Sequence, residues 1–387
     1  MRAGLLRWAR RLAVVVVLAA VAAGGVLAWS YVTGPLVELH NLPEHYARRS
    51  GAFAASVVGT TSRLSHDLAW RLNDGDWQPV RRTAGRAAWP DFVIDLPTDR
   101  LAAGENSLEL RAEGWLHRGQ TLSRSFLYDP EPPPLPLTVD WRAVASPDAQ
   151  DGAWETFLSG VGDARVRVVP GHEDSDRVVA VTGAFPGGRR VTVDAVMRRP
   201  VGVWPYGLGF LPRREYGFGI APLWGGHPDR GTDRPGRGLR AATVTWSTRD
   251  FGVAARLVER IGETPPRWRS AGLSLPMKWN GTYRIVAEAW PVRDAEGHHR
   301  GWRMRAKFWW TDQPEPADWL EVEDLGDPVL PEGEYGVALV AHRTAADFGP
   351  VTVEPLAMPP DDAALTQAGL RGINSGSDSR GAADRPL

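Results

Sequence analysis

The chain has 387 residues, with 45 basic and 46 acidic side chains for a formal net charge of −1, and no cysteine. That balance excludes bulk electrostatic attraction to nucleic acid, and the missing cysteine excludes disulfides and thiolate metal sites. Eighteen Trp, 32 Pro and 42 Gly, with little helical periodicity, favour a turn-rich all-β chain that is long enough for about two domains.

Residues 1–32 read as a membrane anchor or signal sequence. Arg2, Arg7, Arg10 and Arg11 precede a charge-free run from Leu12 to Trp29. Such a run suits a transmembrane helix better than the shorter apolar core of a signal peptide. The basic flank would stay cytoplasmic, with Trp29 and Tyr31 at the outer interface. Small residues around Ala20–Val21–Ala22 and at Ala28 keep a cleaved secretory signal open as the alternative. Either way, the bulk of the chain is expected outside the cytoplasm, with the membrane met only through the N-terminal helix.

Residues 33–129 carry the pattern of a small β-sandwich. Leu68, Trp70 and Leu72 alternate, Asp74–Gly75 supplies a hairpin turn, and Trp77 opens the return. Phe92, Ile94 and Leu96 alternate in turn, as do Leu108, Leu110 and Ala112. The stretch "WRLNDGDWQPV" and the run "LAAGENSLELRA" beginning at Leu101 resemble immunoglobulin-like or fibronectin-III-like modules of exported bacterial proteins, which implies a spacer. "DPEPPPLP" (Asp129–Pro136) then reads as a polyproline linker, 130–136, between domains.

Residues 137–357 read as one large β domain. Expected strands include Val166–Val169, Arg177–Val181, Val191–Met197, Gly217–Ala221, Ala242–Trp246, Ala254–Glu259, Thr282–Ala289 and Trp302–Trp309. A closing pair runs through Val337–Ala341 and Val351–Val353. No βαβ spacing occurs, so antiparallel sheets are expected. "YGFGIAPLWGG", the pair "TYRIVAEAW" and "GWRMRAKFW", "EPADWLEVED" and "LPEGEYGVALVAHRTAADFGPVTVEPL" together resemble the concanavalin A-like lectin/glucanase superfamily. The resemblance implies a two-sheet jelly-roll sandwich. After it, 361–370 is expected to form a short capped helix. The polar remainder of the tail, 358–387, is expected to be disordered.

The resemblance also frames the chemistry. Glucanases of that superfamily carry an E-x-D-x-x-E pair of acids, as retaining hydrolysis requires. Glu321–Glu323–Asp324 comes nearest and lacks the second glutamate, in what reads as a loop. A non-catalytic glycan-binding or envelope-associated role is therefore expected, with polysaccharide as partner. A divergent glycoside hydrolase or polysaccharide lyase and an envelope assembly protein are the alternatives. His172, Tyr206, Tyr216 and His227 are the residue types a lyase would need.

Aromatic platforms for sugar are expected at Trp204, Tyr206, Trp224 and Trp310. His227 and Asp229 would add hydrogen bonds in the polar insertion Gly226–Gly238, and Arg213, Arg214 and Arg240 would pair an acidic sugar. Trp309 and Trp310 are strand neighbours, so one enters the core. His298–His299 sit on a hairpin tip and point apart, which disfavours a joint metal site. Structural calcium, which the resemblance implies near the terminal strands, would use Asp347 as ligand. "GHEDSD" (Gly171–Asp176) offers similar oxygens, and an ordinary acidic turn is the alternative.

Overall fold

The computed structural model describes residues 12, 14–25, 29, 36–39, 42, 44–47, 53–61, 65–80, 82–83, 91–114, 119–144, 149–150, 153–158, 164–169, 176–200, 215–225, 238–247, 252–260, 267–275, 280–323 and 330–357. The expected tail helix and the segments 170–175, 201–214 and 226–237 lie outside them. Residues 14–25 are helical and exposed. Among the described residues no helix is long and apolar enough to cross a membrane, which leaves β-barrels unaddressed.

The first unit is built from β1 (Val37–Leu39), β2 (His45–Ala47), β3 (Phe53–Thr61), β4 (Ser65–Leu72) and β5 (Gln78–Pro79). It continues with β6 (Arg82–Thr83), β7 (Asp91–Pro97), β8 (Gly104–Gly114) and β9 (Gln120–Asp129). Two sheets result, ordered β1-β3-β7-β6 and β2-β9-β8-β4-β5. The alternating sets expected from sequence, such as Leu68, Trp70, Leu72 and Leu108, Leu110, Ala112, meet in one core with Phe92, Ile94 and Leu96. The β4–β5 hairpin forms as expected, but Asn73, at φ 52°, takes the left-handed position. Its side chain accepts from the Ser107 amide at 2.9 Å, which stabilises a conformation Asn tolerates.

The larger unit begins with β10 (Leu137–Val139), β11 (Ala149–Gln150), β12 (Ala153–Leu158), β13 (Ala164–Val169) and β14 (Asp176–Ala180). Next come β15 (Gly188–Pro200), β16 (Glu215–Trp224), β17 (Leu239–Ser247), β18 (Gly252–Arg260) and β19 (Arg267–Leu275). The unit ends with β20 (Thr282–Arg293), β21 (His299–Trp310), β22 (Leu320–Glu323), β23 (Gly336–His342) and β24 (Thr344–Leu356). One sheet runs β12-β13-β24-β15-β20-β21-β22, with β10 also on β24 to make eight strands. The other has seven, β11-β14-β23-β16-β17-β18-β19. Every pairing in this unit is antiparallel, as expected.

Inward residues of both sheets form one core: Val191 and Val193, Ile285 and Ala287, and Met304 and Phe308 from the eight-stranded sheet, and Phe218, Ile220, Val244 and Leu339 from the other. Phe218 stands edge-on to Tyr283 at 5.8 Å and to Phe348 at 6.4 Å, tying the layers together. The alternation that predicted the strands is the alternation that fills this layer.

Two sequence expectations need correction. The segment around Glu321 is a strand, β22, paired with β21 through Arg305↔Glu321 and Ala306↔Leu320. The prolines that precede it break the chain only upstream. The closing strands also do not pair with each other: β23 lies in the seven-stranded sheet and β24 in the eight-stranded one. Arg343, at φ 54°, makes the corner between them.

Candidate ligand surface on the seven-stranded sheet

Strand β16 turns Tyr216, Phe218 and Ile220 into the core. By the period of two, Gly217, Gly219 and Ala221 face outward. Gly217 lies between His342 of β23 and Thr245 of β17, and Gly219 between Val340 and Thr243. Ala221 lies beside Ala338. The middle of this outer face therefore carries nothing larger than a methyl group. Gly219 also has a structural reason, because a Cβ there would lie 2.0 Å from the Ala242 carbonyl oxygen.

Polar groups border the strip. The Thr243 and Thr245 hydroxyls are 3.3 Å apart and buried. Arg256, opposite Thr243 on β18, reaches back across β17, and its Nη1 donates to Glu215 Oε1 at 2.7 Å. This pair is partly exposed, so it holds position more than it stabilises. At the far end Trp224 is half-buried and packs on a small apolar cluster of Val178, Ala221, Leu239, Ala241 and Ala338. A register shift between Ile220 and Leu223 marks the bulge that precedes it.

Ala221 and Ala338 are fully buried and Thr243 and Thr245 nearly so, so the strip is covered, and the half-buried Trp224, Glu215 and Arg256 are what its border presents. Among the described side chains of this face, Glu215 is the carboxylate, and it is engaged by Arg256. Retaining glycoside hydrolysis would need a second acid about 5 Å away.

Of the residues singled out from sequence, Trp224 is on this face. Trp204, Tyr206, His227 and Asp229 lie outside the described residues, as do His172, Arg213 and Arg214. Trp310 turns inward, packs against the core and stands edge-on to Tyr283 at 6.3 Å, leaving Trp309 as the outward ring. Tyr216 is a core residue, tilted against Trp246 at 5.3 Å. Arg240 is also inward: it is buried and donates to Glu259 and to the Trp302 carbonyl, so it is not offered to an acidic sugar.

Asp347 is buried on the outer side of the eight-stranded sheet. Arg167 donates to its Oδ1 at 2.7 Å and its Oδ2 at 3.1 Å, and Arg198 donates to Oδ2 at 2.5 Å. Two guanidinium groups thus occupy both oxygens at the expected calcium ligand. His298 and His299 do diverge. His298 is exposed with Nδ1 3.4 Å from Asp294, while His299 Nε2 is 3.0 Å from the Leu330 carbonyl oxygen. Asp294, Glu296 and His298 place one ligand atom each within 4.8 Å of one another, an arrangement common on exposed turns without an ion.

The bordering residues Thr243, Thr245, Glu215, Arg256 and His342 were not singled out from sequence. The signal for them is the alternation of glycine with large apolar residues in "YGFGI", which flattens one face of a central strand.

No protein-family model matches the chain. No curated protein matches it either. Among solved structures it is similar to the lectin of Bauhinia forficata in complex with GalNAc, at 10% identity and TM-score 0.29, over 56% of this chain and 97% of that one. It is similar to peanut lectin with a nine-residue peptide, at 8% identity and TM-score 0.32, over 58% and 99%. It is also similar to the exoplasmic/lumenal domain of VIP36, at 11% identity and TM-score 0.31, over 54% and 85%. At these TM-scores the likenesses carry no argument about ligand or activity.

Proposed function

We propose that this is a glycan-binding β-sandwich protein presented outside the cytoplasm, with the outer face of the seven-stranded sheet as its ligand surface. The observation that supports the reading is the half-buried ring of Trp224, set on a small apolar cluster at the end of the strip of Gly217, Gly219 and Ala221. A saccharide presents apolar ring faces, which a partly exposed aromatic ring matches in kind. Trp204, Tyr206, His227 and Asp229 lie outside the described residues and enter this reading as sequence-based candidates for contact with the same ligand. The charge-free run after Arg11 supports a membrane anchor, and the first β unit a spacer that holds the larger sandwich away from the bilayer.

The test is a glycan array and a polysaccharide pull-down with the full chain, alongside Trp224→Ala. Binding to one glycan class, weakened by the substitution, is expected. A folded chain that retains no glycan, or a Trp224→Ala variant that binds as well as the parent, would remove the proposal.

A further inference from the structure

Of the five asparagines in the chain, Asn280 alone is followed by glycine. It sits at φ 59° in the turn that enters β20, and it is exposed. The β15–β20 register runs to Val196↔Thr282, so Arg198, two residues further along β15, stands across from Asn280. Its Nη1 donates to Asn280 Oδ1 at 2.8 Å. The same guanidinium holds Asp347 through Nε at 2.5 Å, which fixes it in place while it reaches the asparagine.

The other described asparagines are held differently. Asn73 Oδ1 accepts from the Ser107 amide at 2.9 Å. Asn106 Oδ1 accepts from the Ala102 amide at 2.9 Å and from Asn73 Nδ2 at 3.1 Å. Those donors are neutral, and Asn106 is buried. Among the described asparagines, a cation polarises the side-chain amide at Asn280 alone, and there the next residue has no Cβ to shield its nitrogen. The turn itself has no need of the cation, because an Asn-Gly pair closes a hairpin through its backbone angles.

We propose that Asn280 is a self-deamidation site, with Arg198 as the group that positions and polarises its amide. The Gly281 nitrogen gives its proton to solvent and bonds to Asn280 Cγ. Charge gathers on Oδ1, where the Arg198 guanidinium meets it. The Cγ–Nδ2 bond then breaks, and that nitrogen takes up a proton and leaves as ammonia. Water opens the resulting succinimide at either carbonyl, giving aspartate or isoaspartate. Aspartate keeps the turn and gives Arg198 a second carboxylate beside Asp347. Isoaspartate adds a methylene to the backbone just ahead of Tyr283 and Ile285, which are core residues of β20. The inference lies beyond the proposed function, because neither Asn280 nor Arg198 belongs to the seven-stranded sheet.

The experiment incubates the full chain at mildly alkaline pH and follows each asparagine by peptide mapping with mass spectrometry, which separates the two products. Asn280 is expected to convert well before Asn73 and Asn106, and faster as the pH rises, since the attacking nitrogen must lose its proton. Arg198→Gln should slow the conversion about tenfold, less than an oxyanion donor is worth in a closed active site, because this one is open to water. Arg167 still holds Asp347 in that variant. Arg198→Lys, which keeps a cation, should fall between, and it carries the test if the glutamine variant does not fold. In urea, parent and variants should react at one rate, because residues 82 positions apart no longer meet. An Asn280 that converts no sooner than Asn73 or Asn106 in the folded chain would overturn the proposal. So would folded Arg198 variants that react as fast as the parent or faster, or a rate difference that persists in urea.

Discussion

The Arg189 guanidinium donates to the Tyr335 carbonyl oxygen at 2.5 Å, binding a residue of β15 in one sheet to the segment that enters β23 in the other. It also donates to the carbonyls of Phe185 at 3.0 Å, Gly187 at 2.7 Å and Pro222 at 3.4 Å, and lies 4.1 Å over the Phe185 ring. Burial pushes its pKa down to about 9, so at neutral pH it remains a cation held by carbonyl dipoles rather than by a carboxylate. Arg189→Met should cost about 3 kcal/mol or more, since it orphans several buried carbonyls. Lysine should recover only part of the loss, because one ammonium cannot reproduce the fork. Urea denaturation midpoints of the two variants check this.

Glycine substitutions should separate close approach from open turns. Gly219→Ala puts a Cβ 2.0 Å from the Ala242 carbonyl oxygen and 2.8 Å from Thr243 Cα, which forces β16 and β17 apart. A loss of about 3 kcal/mol is expected, at the upper end of overpacking effects. Gly297→Ala meets nothing within 4 Å and is strained only by its φ of +87°, so about 1 kcal/mol is expected. Thermal unfolding of the pair ranks them.

Trp224 and Trp310 should divide binding from stability. Trp224→Ala should weaken glycan binding about tenfold with a smaller effect on folding. Trp310→Ala should leave the affinity intact and lower stability by about 2–4 kcal/mol, because its ring packs against the core. Affinity and denaturation measured on both variants decide the division.

Calcium should leave the melting temperature unchanged within error, and chelation likewise, at the Asp347 site. Both oxygens there are already held by Arg167 and Arg198. Asp347→Ala should instead destabilise by about 2 kcal/mol, less than a fully buried pair because the arginines are one-third exposed. A melting series with and without calcium, run on parent and variant, tests both statements.

Acid titration has a defined sign at two surface carboxylates. The Lys307 ammonium hydrogen-bonds Glu315 and the Arg142 side chain hydrogen-bonds Asp140, and each holds its carboxyl below the ordinary value of 4.5 or 3.8. A depressed folded pKa contributes stability above the unfolded value, which is lost as the pH falls through the folded one. Carboxyl NMR titration should place both midpoints below those values, and Lys307→Met should raise that of Glu315.

Strands were legible wherever apolar residues alternated over five or more positions, as in β15, β16, β20 and β21. β11 is two residues long, β12 has six residues that do not alternate, and β22 is hidden behind Pro314 and Pro316 upstream. The inward phase of Trp302, Met304, Ala306 and Phe308 already places Trp310 inside, so that assignment was readable and was misjudged. Arg189 and Arg240 were not readable, because the carbonyls and the carboxylate that make their burial tolerable come from distant segments. The same holds for Arg256 and Glu215, which meet across a strand that separates them by 41 positions.

The final strand in chain order, β24, sits in the interior of its sheet, with β13 on one side and β15 on the other. Its neighbours are synthesised roughly 150–180 residues earlier and have no backbone partners along that seam until it arrives. The seam therefore closes only after residues 344–356 have been synthesised, and until then β13 and β15 each present an open, adhesive strand edge.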